Sequence, residues 1–444
     1  MKILHPHCSA LCAAILLVFV SPFRLCAAPT VTVMPGTSSG VYSPGEKATW
    51  TVDIKREAGA PVPELIYKIK KDGQVVVAEG PLDLSAGPVT LSAAREDAGA
   101  LVVQVLPPEK NALPLAVGGA IYAPDKITPA APEPKDFDAF WKAKLAELAQ
   151  VPMNPVLEKT PDAKNTEGVT YYKVTLDNIR GAKVRGQLAR PSTGGKSPAL
   201  LVVQYAGVYA LDQSTVINDA KAGWLVLNIS AHDLPIDESP EFYKNQKEGA
   251  LKNYVYLGSE DRETSYFLRM FLGCVRAAEY LATRPEWDGE TLIVTGASQG
   301  GLQALATAAL SPKVTGLMAM VPAGCDNYAP LANRAFGWPY WLSNWGPRDR
   351  NMKKVEVTAG YFDGINFAAR VRTPALVAYG LADETSRPTG VAAAVNALKG
   401  PKESMILPLS NHHGTGGSQA AYFRRAAEWK KAALAGESLP PPAP

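Results

Sequence analysis

A chain of 444 residues exceeds one ordinary domain and is long enough to bury a large core, so two domains are expected. Apolar residues make up 47% of it, as in an ordinary soluble globular protein, and 45 basic side chains nearly balance 42 acidic ones, which leaves no basic patch for a nucleic-acid partner.

The first 28 residues read as a secretory leader, with Lys2 near the start, an apolar stretch over residues 10–20, and the small residues Cys26-Ala27-Ala28 ahead of Pro29. That stretch is short of the ~20 apolar residues a membrane span needs, so cleavage and a secreted or periplasmic protein are expected, without a membrane anchor. The leader holds two of the basic residues, Lys2 and Arg24, and no acid, so the mature net charge is +1. It also takes Cys8, Cys12 and Cys26. Cys274 and Cys325 remain, too few for a disulfide framework and without metal-ligand spacing; Cys274 lies on an apolar helical face and reads as core.

Over residues 29–125, short runs of period two (ATWTVDI, LIYKIK, QVVVA, VTLSA, LVVQVL) alternate with turn residues, which predicts a small immunoglobulin-like β-sandwich. It carries no chemistry of its own; a structural spacer or an accessory glycan-binding module both fit. The proline-rich ITPAAPEPKDFDAFW then leads into an amphipathic helix starting near Asp136-Phe137-Asp138. Over residues 126–436, apolar runs at 199–206, 223–230, 291–297 and 374–380 alternate with helical patterns, which predicts an α/β region with a mostly parallel sheet and helices on both faces. Residues 437–444 read as a loose tail.

Gly296-Ala297-Ser298-Gln299-Gly300 matches G-x-S-x-G, a pattern that alone would often be a glycine-rich turn with a surface serine. Here an apolar strand, TLIVT, runs into it and a helix former, LQALATAAL, follows, the setting in which a nucleophilic serine is presented on a sharp turn. A serine hydroxyl needs a histidine to take its proton and a carboxylate to hold that histidine, in the order Ser, acid, His for this fold. Beyond Ser298 only His412 and His413 remain, side by side in the glycine-rich LSNHHGTGG after the strand SMILPL. Asp383 follows the strand PALVAYG and is the first choice of acid, with Glu384 the neighbouring alternative and Asp363 a weaker one. Two backbone N–H groups should face the developing oxyanion, one from Gln299 and the other from the loop VVQYAGVYA, where Val208 is the best placed.

Taken together, GYFDGINFAARVRTPALVAYGLAD, GPKESMILPLSNHHGTGG, DFDAFWKAKLAELAQVPMNPVLEK, VVQYAGVYA and GASQGG resemble the acetyl xylan esterase and cephalosporin C deacetylase family of α/β hydrolases, over most of residues 130–435. The resemblance implies Ser298 as nucleophile, Asp383 as acid, His412 as base, Val208 and Gln299 as oxyanion donors, acetylated xylan or related sugars as substrate, and no cofactor. A homo-oligomer is compatible with it. Two places depart from the family's pattern. Where an Arg-Gly-Gln motif should follow the strand GWLVLNIS, this chain has Ala231-His232-Asp233-Leu234; its Arg185-Gly186-Gln187 lies in an earlier strand and reads as a decoy. The family's His-Glu pair is His412-His413 here. Of the aromatic cluster Phe336, Trp338, Tyr340, Trp341 and Trp345, the second and fourth join Tyr209 and His232 as candidate substrate contacts, against a packing role for the same rings. Rival readings are another serine hydrolase, such as a longer-chain esterase or a peptidase, and a non-catalytic glycan-binding protein on a decayed scaffold.

Overall fold

The computed structural model describes residues 29–57, 60–160 and 163–438. The expected leader, and the tail from residue 439, lie outside the described residues.

The N-terminal region is built from β1 (Thr30–Pro35), β2 (Val41–Tyr42), β3 (Lys47–Lys55), β4 (Leu65–Lys71), β5 (Val75–Leu82), β6 (Val89–Ala94), β7 (Gly99–Leu106) and β8 (Ala116–Tyr122). One sheet runs β1-β3-β6 and the other β2-β8-β7-β4-β5. Because successive side chains point to opposite faces, Val31, Val33, Trp50, Val52, Leu65, Ile69, Leu101, Val103 and Val105 meet in one core between the sheets. Strand β7 departs from the one-faced pattern, since all eight of its residues are buried. Its second face needs cover, and the helix Pro388–Ala397 of the C-terminal region packs there.

The C-terminal region contains β9 (Val156–Lys159), β10 (Val169–Asp177), β11 (Lys183–Pro191), β12 (Ser197–Val203), β13 (Leu225–Ile229), β14 (Trp287–Ala297), β15 (Gly316–Met320), β16 (Ala375–Gly380) and β17 (Lys402–Leu407). They form a sheet in the order β17-β16-β15-β14-β12-β13-β11-β10-β9. The run from β17 to β13 is parallel, whereas β11, β10 and β9 are added antiparallel at one edge. The sequence reading places five of the six parallel strands, SMILPL being β17, but does not single out β15 or describe the antiparallel edge. Polar residues interrupt the apolar pattern in β10, VTYYKVTLD, whose burial is only partial.

Period two divides the central strands between two cores. Leu201, Val203, Leu225, Leu227, Leu317 and Val377 face the helices Phe137–Ala149, Tyr266–Thr283 and Gln299–Leu310. Leu200, Val226, Met318 and Leu376 face Ser214–Lys221 and Ala420–Leu434 on the other side. Both faces are therefore covered, which is why β13 and β16 are apolar nearly throughout and buried at every position. Cys274 is sealed in the helix Tyr266–Thr283, and Cys274 and Cys325 are free thiols. No helix among the described residues is long and apolar enough to cross a membrane. Since the six parallel strands run the same way, the loops after β12, β14, β16 and β17 all emerge along one edge.

Candidate active site

Ser298 stands between the end of β14 and the helix Gln299–Leu310, with φ 57° and ψ −122°. A side chain bearing residue in that region costs of order 1–3 kcal/mol, so the surroundings must hold it there. They do so through the backbone: Ser298 N–H donates to Met320 O at 3.0 Å and Ser298 O accepts from Ala323 N–H at 3.0 Å, both from the chain leaving β15. The turn also needs bare backbone where it crosses β12, since a Cβ on Gly300 would lie 2.6 Å from Val203 O. Held this way, Ser298 is half-buried and its hydroxyl is presented at the carboxyl edge of the sheet.

The three residues expected as nucleophile, acid and base meet at that edge. His412 Nε2 lies 2.8 Å from Ser298 Oγ, and His412 Nδ1 lies 2.8 Å from Asp383 Oδ2. Both contacts are satisfied by one tautomer, with Nδ1–H donating to Asp383 and Nε2 accepting from the serine hydroxyl. Asp383 is 2% exposed, and its other oxygen, Oδ1, accepts from the N–H groups of Thr385 and Ser386 at 2.8 Å each. The imidazole loop is fixed by Gln419, whose amide donates to the carbonyls of Asn411 and His412, and by Asn411 Oδ1, which accepts from His413 N–H and Thr415 N–H. His413 is exposed and touches the site only through an edge-on contact with the His412 ring.

Neither alternative acid reaches the imidazole. Glu384 Oε1 accepts from the amide of Gln104, at 2.6 Å, and faces Arg387. Asp363 caps the helix Gly364–Ala368 and accepts from the backbone N–H groups of Asp326, Asn327 and Ile365. Burial, and next the Asp326 charge, push its carboxyl up to about 7.

On the other side of Ser298, Gln299 is the first residue of its helix, where an N–H lacks an intrahelical acceptor. Val208 lies in the loop after β12, and the peptide that carries its N–H is held from behind: Gly207 O accepts from His232 Nε2 at 2.8 Å. A planar trans peptide points its N–H opposite to its carbonyl, so the Val208 N–H is directed away from His232. His232 Nδ1 in turn accepts from Tyr266 O–H at 2.6 Å. Burial pushes the His232 imidazole down to about 4, so it is neutral near pH 7, and because the Gly207 carbonyl can only accept, the single ring proton belongs on Nε2. The Tyr254 hydroxyl joins the two donor segments, donating to Gln299 Oε1 at 2.5 Å and accepting from Gly207 N–H at 3.4 Å.

A family model described as acetyl xylan esterase (AXE1) matches residues 125–432. The chain belongs to the acetyl xylan esterase family. It is 31% identical over 395 residues to acetyl esterase Axe7A of Xylanibacter ruminicola, covering 86% of each chain. Among solved structures it is similar to an acetyl xylan esterase from Paenibacillus sp. R4, with 28% identity, TM-score 0.58, and 68% of this chain and 96% of that one covered. Acetyl xylan esterase 1 from Thermoanaerobacterium sp. JW/SL YS485 shares the fold at 24% identity and TM-score 0.57, with the same coverage. Membership makes the chain an ester-cleaving hydrolase with the α/β hydrolase fold.

Within this acetyl xylan esterase family member, the remaining candidates separate. His232 is 3% exposed with both ring nitrogens engaged, so it has no free nitrogen to offer a ligand. Trp341 is 1% exposed and its indole N–H donates to Val255 O, which places it in the core rather than at a surface. Both expectations of a substrate contact are therefore corrected: the His232 imidazole and the Trp341 indole fill the scaffold here. Trp338 is half-buried against Phe267, and Tyr209 stacks on Tyr205 at 4.8 Å. Tyr205, not singled out in the sequence, is 57% exposed two residues past β12, and its place just beyond ALLVV at a parallel strand's carboxyl end is the signal that could have found it. Trp345 is also exposed, against Tyr340 and Phe336. Arg185-Gly186-Gln187 lies inside β11, where Gln187 is buried and bonded to Tyr171, Asn228 and the Asp212 carbonyl.

Proposed function

We propose that this protein is a secreted serine esterase that removes acetyl groups from acetylated xylan or related sugars through an acyl-enzyme. The observation that carries the reading is the unbroken contact from Asp383 through His412 to Ser298, with both hydrogen bonds at 2.8 Å. In the first half-reaction Ser298 Oγ attacks the acetyl carbonyl carbon while His412 Nε2 takes its proton, and Asp383 stabilises the resulting imidazolium. The carbonyl oxygen becomes negative and is met by the N–H groups of Val208 and Gln299, donors that need no reorganisation because His232 and Tyr254 already hold their segments. Collapse returns the proton from His412 to the departing sugar oxygen and leaves acetyl-Ser298. Water, giving its proton to His412, then attacks the acyl carbonyl, and acetate leaves with Ser298 restored.

The acetylated-sugar substrate is supported by the family and by the names of Axe7A and the Paenibacillus enzyme. Secretion is supported by the leader pattern of residues 1–28. A decayed, non-catalytic scaffold is suggested by the departure at His232-Asp233. The occupied triad contacts and the bonded state of His232 speak against it.

Acetate release from a panel of acetylated polysaccharides tests the proposal, with Ser298→Ala as control. The wild type should release acetate from acetylated xylan, and Ser298→Ala should lose at least about 10³-fold. Nitrophenyl esters should fall in rate from acetyl through butyryl to octanoyl; equal or faster cleavage of the octanoyl ester, or release by Ser298→Ala at the wild-type rate, overturns the reading.

A further inference from the structure

The family model begins at residue 125, so it says nothing of the sandwich. Yet the match to Axe7A covers more of this chain than residues 125–444 contain, and therefore takes in part of it. We propose that the sandwich is a working part of the active site, in which β7, through Gln104, positions the loop that carries Asp383. The proposal rests on the serine-esterase reading above.

Several contacts converge on that loop from the sandwich side. The Gln104 amide, itself buried, donates to Glu384 Oε1 at 2.6 Å, one residue from the acid. The backbone of β8 lies directly on the loop: a Cβ on Gly119 would overlap the Leu381 carbonyl, so no larger residue fits there. Ile121 of β8 is fully buried in the same core as Tyr379 and Leu381. In the turn between β4 and β5, Gly73 lies against Arg387 of the loop, while Asp72 O accepts from Ala335 N–H at 2.9 Å on the neighbouring aromatic segment. On its opposite side the loop is tied to the histidine segment, Leu381 N–H donating to Leu407 O and Ala382 N–H to Ser410 O. The acid loop is thus gripped between the sandwich and the segment that carries His412.

A catalytic group has to be held within roughly 0.5 Å of its working position, and packing around its neighbours does this. Gln104 holds Glu384 toward the sandwich and away from Asp383, so the loop keeps Thr385 and Ser386 N–H on Asp383 Oδ1 and leaves Oδ2 for His412. Gln104 is in this sense a positioning residue, since it touches neither the reacting atoms nor the imidazole.

The test uses the full chain. Gln104→Glu sets two carboxylates against each other, in a site also faced by Arg387, Lys70 of β4, Tyr340 and Asp383. The kcat for acetate release should fall about tenfold at pH 8 with KM within about twofold, because displacement costs orientation rather than binding. The loss should shrink toward pH 5.5, where the pair takes up one proton and a hydrogen bond re-forms. Adding Glu384→Gln to Gln104→Glu reverses donor and acceptor and should restore kcat to within about threefold of wild type. Wild-type kcat and pH profile in Gln104→Glu would overturn the proposal and leave the sandwich a spacer. A pH-independent loss that the exchange does not restore would overturn it equally, as general damage to packing. Ser298→Ala, measured alongside, separates the two levels: acetate release surviving there removes the esterase reading itself, whatever the Gln104 series shows.

Discussion

On one side of Ser298, the loops after β16 and β17 send in side chains, and each contact from Asp383 to His412 to the hydroxyl is between side-chain atoms. On the other side, the donors we propose are the backbone N–H groups of Val208 and Gln299, and the side chains that hold their segments are His232, Tyr254 and Tyr266. The difference teaches where residue identity is decisive. A proton carrier cannot be replaced without loss of the chemistry, whereas a donor peptide accepts any residue provided its support remains. The two sides should therefore fail differently.

The largest expected effect is on the side-chain half. His412→Ala should cost at least about 10³-fold in kcat for acetyl ester cleavage, while His413→Ala, which removes only an exposed ring, should stay within about threefold. Steady-state kinetics of the pair check this, and the reverse pattern would exchange the roles of the two histidines. The backbone half should fail more gently. His232→Phe keeps the ring volume and deletes the bond to Gly207 O, so kcat should drop about 10- to 100-fold with KM little changed, and an acetyl transition-state analogue should lose affinity in parallel. A proportional rise in KM instead would return His232 to substrate binding.

The smallest effect is on stability. The imidazole of His232 sits at about 4 in the folded chain against an ordinary 6.5, so between those values the unfolded chain binds the extra proton. Stability from this group is full above about pH 6.5 and is lost as pH falls through the window, up to about 3 kcal/mol in all. Thermal unfolding of the wild type at pH 7 and pH 4.5 should show a larger drop than the same pair of measurements on His232→Phe; equal drops would place the titration elsewhere.

The meeting of Ser298, Asp383 and His412 is legible in the chain because the order of the residues, their places after apolar runs, and the scarcity of histidine restrict the choices. The parallel centre of the sheet is legible for the related reason that strands covered on both faces read as apolar throughout. What escapes is whatever depends on a partner distant in sequence. His232 has a backbone carbonyl as its partner, which no side-chain pattern announces. Tyr254 lies in a short 3-10 turn with no motif around it. Trp341 and Trp345, four residues apart in one aromatic run, differ from 1% to 69% exposed, a distinction that tertiary packing alone makes. Likewise Gln104 is one polar residue in an apolar strand, and only the fold reveals the carboxylate across from it.

The Tyr254 hydroxyl accepts from the Gly207 N–H and donates to the side-chain amide oxygen of Gln299, so one phenol ties the loop that carries Val208 to the residue that opens the helix after Ser298. The spacing of the two segments is consequently set in part by this crossbar, together with His232 behind Gly207 and the Gln303 amide on Gln204 O, rather than by two independent loops. A lineage drifting toward bulkier acyl groups would have to release this crossbar first, and laboratory selections for such activity should find their earliest useful changes there.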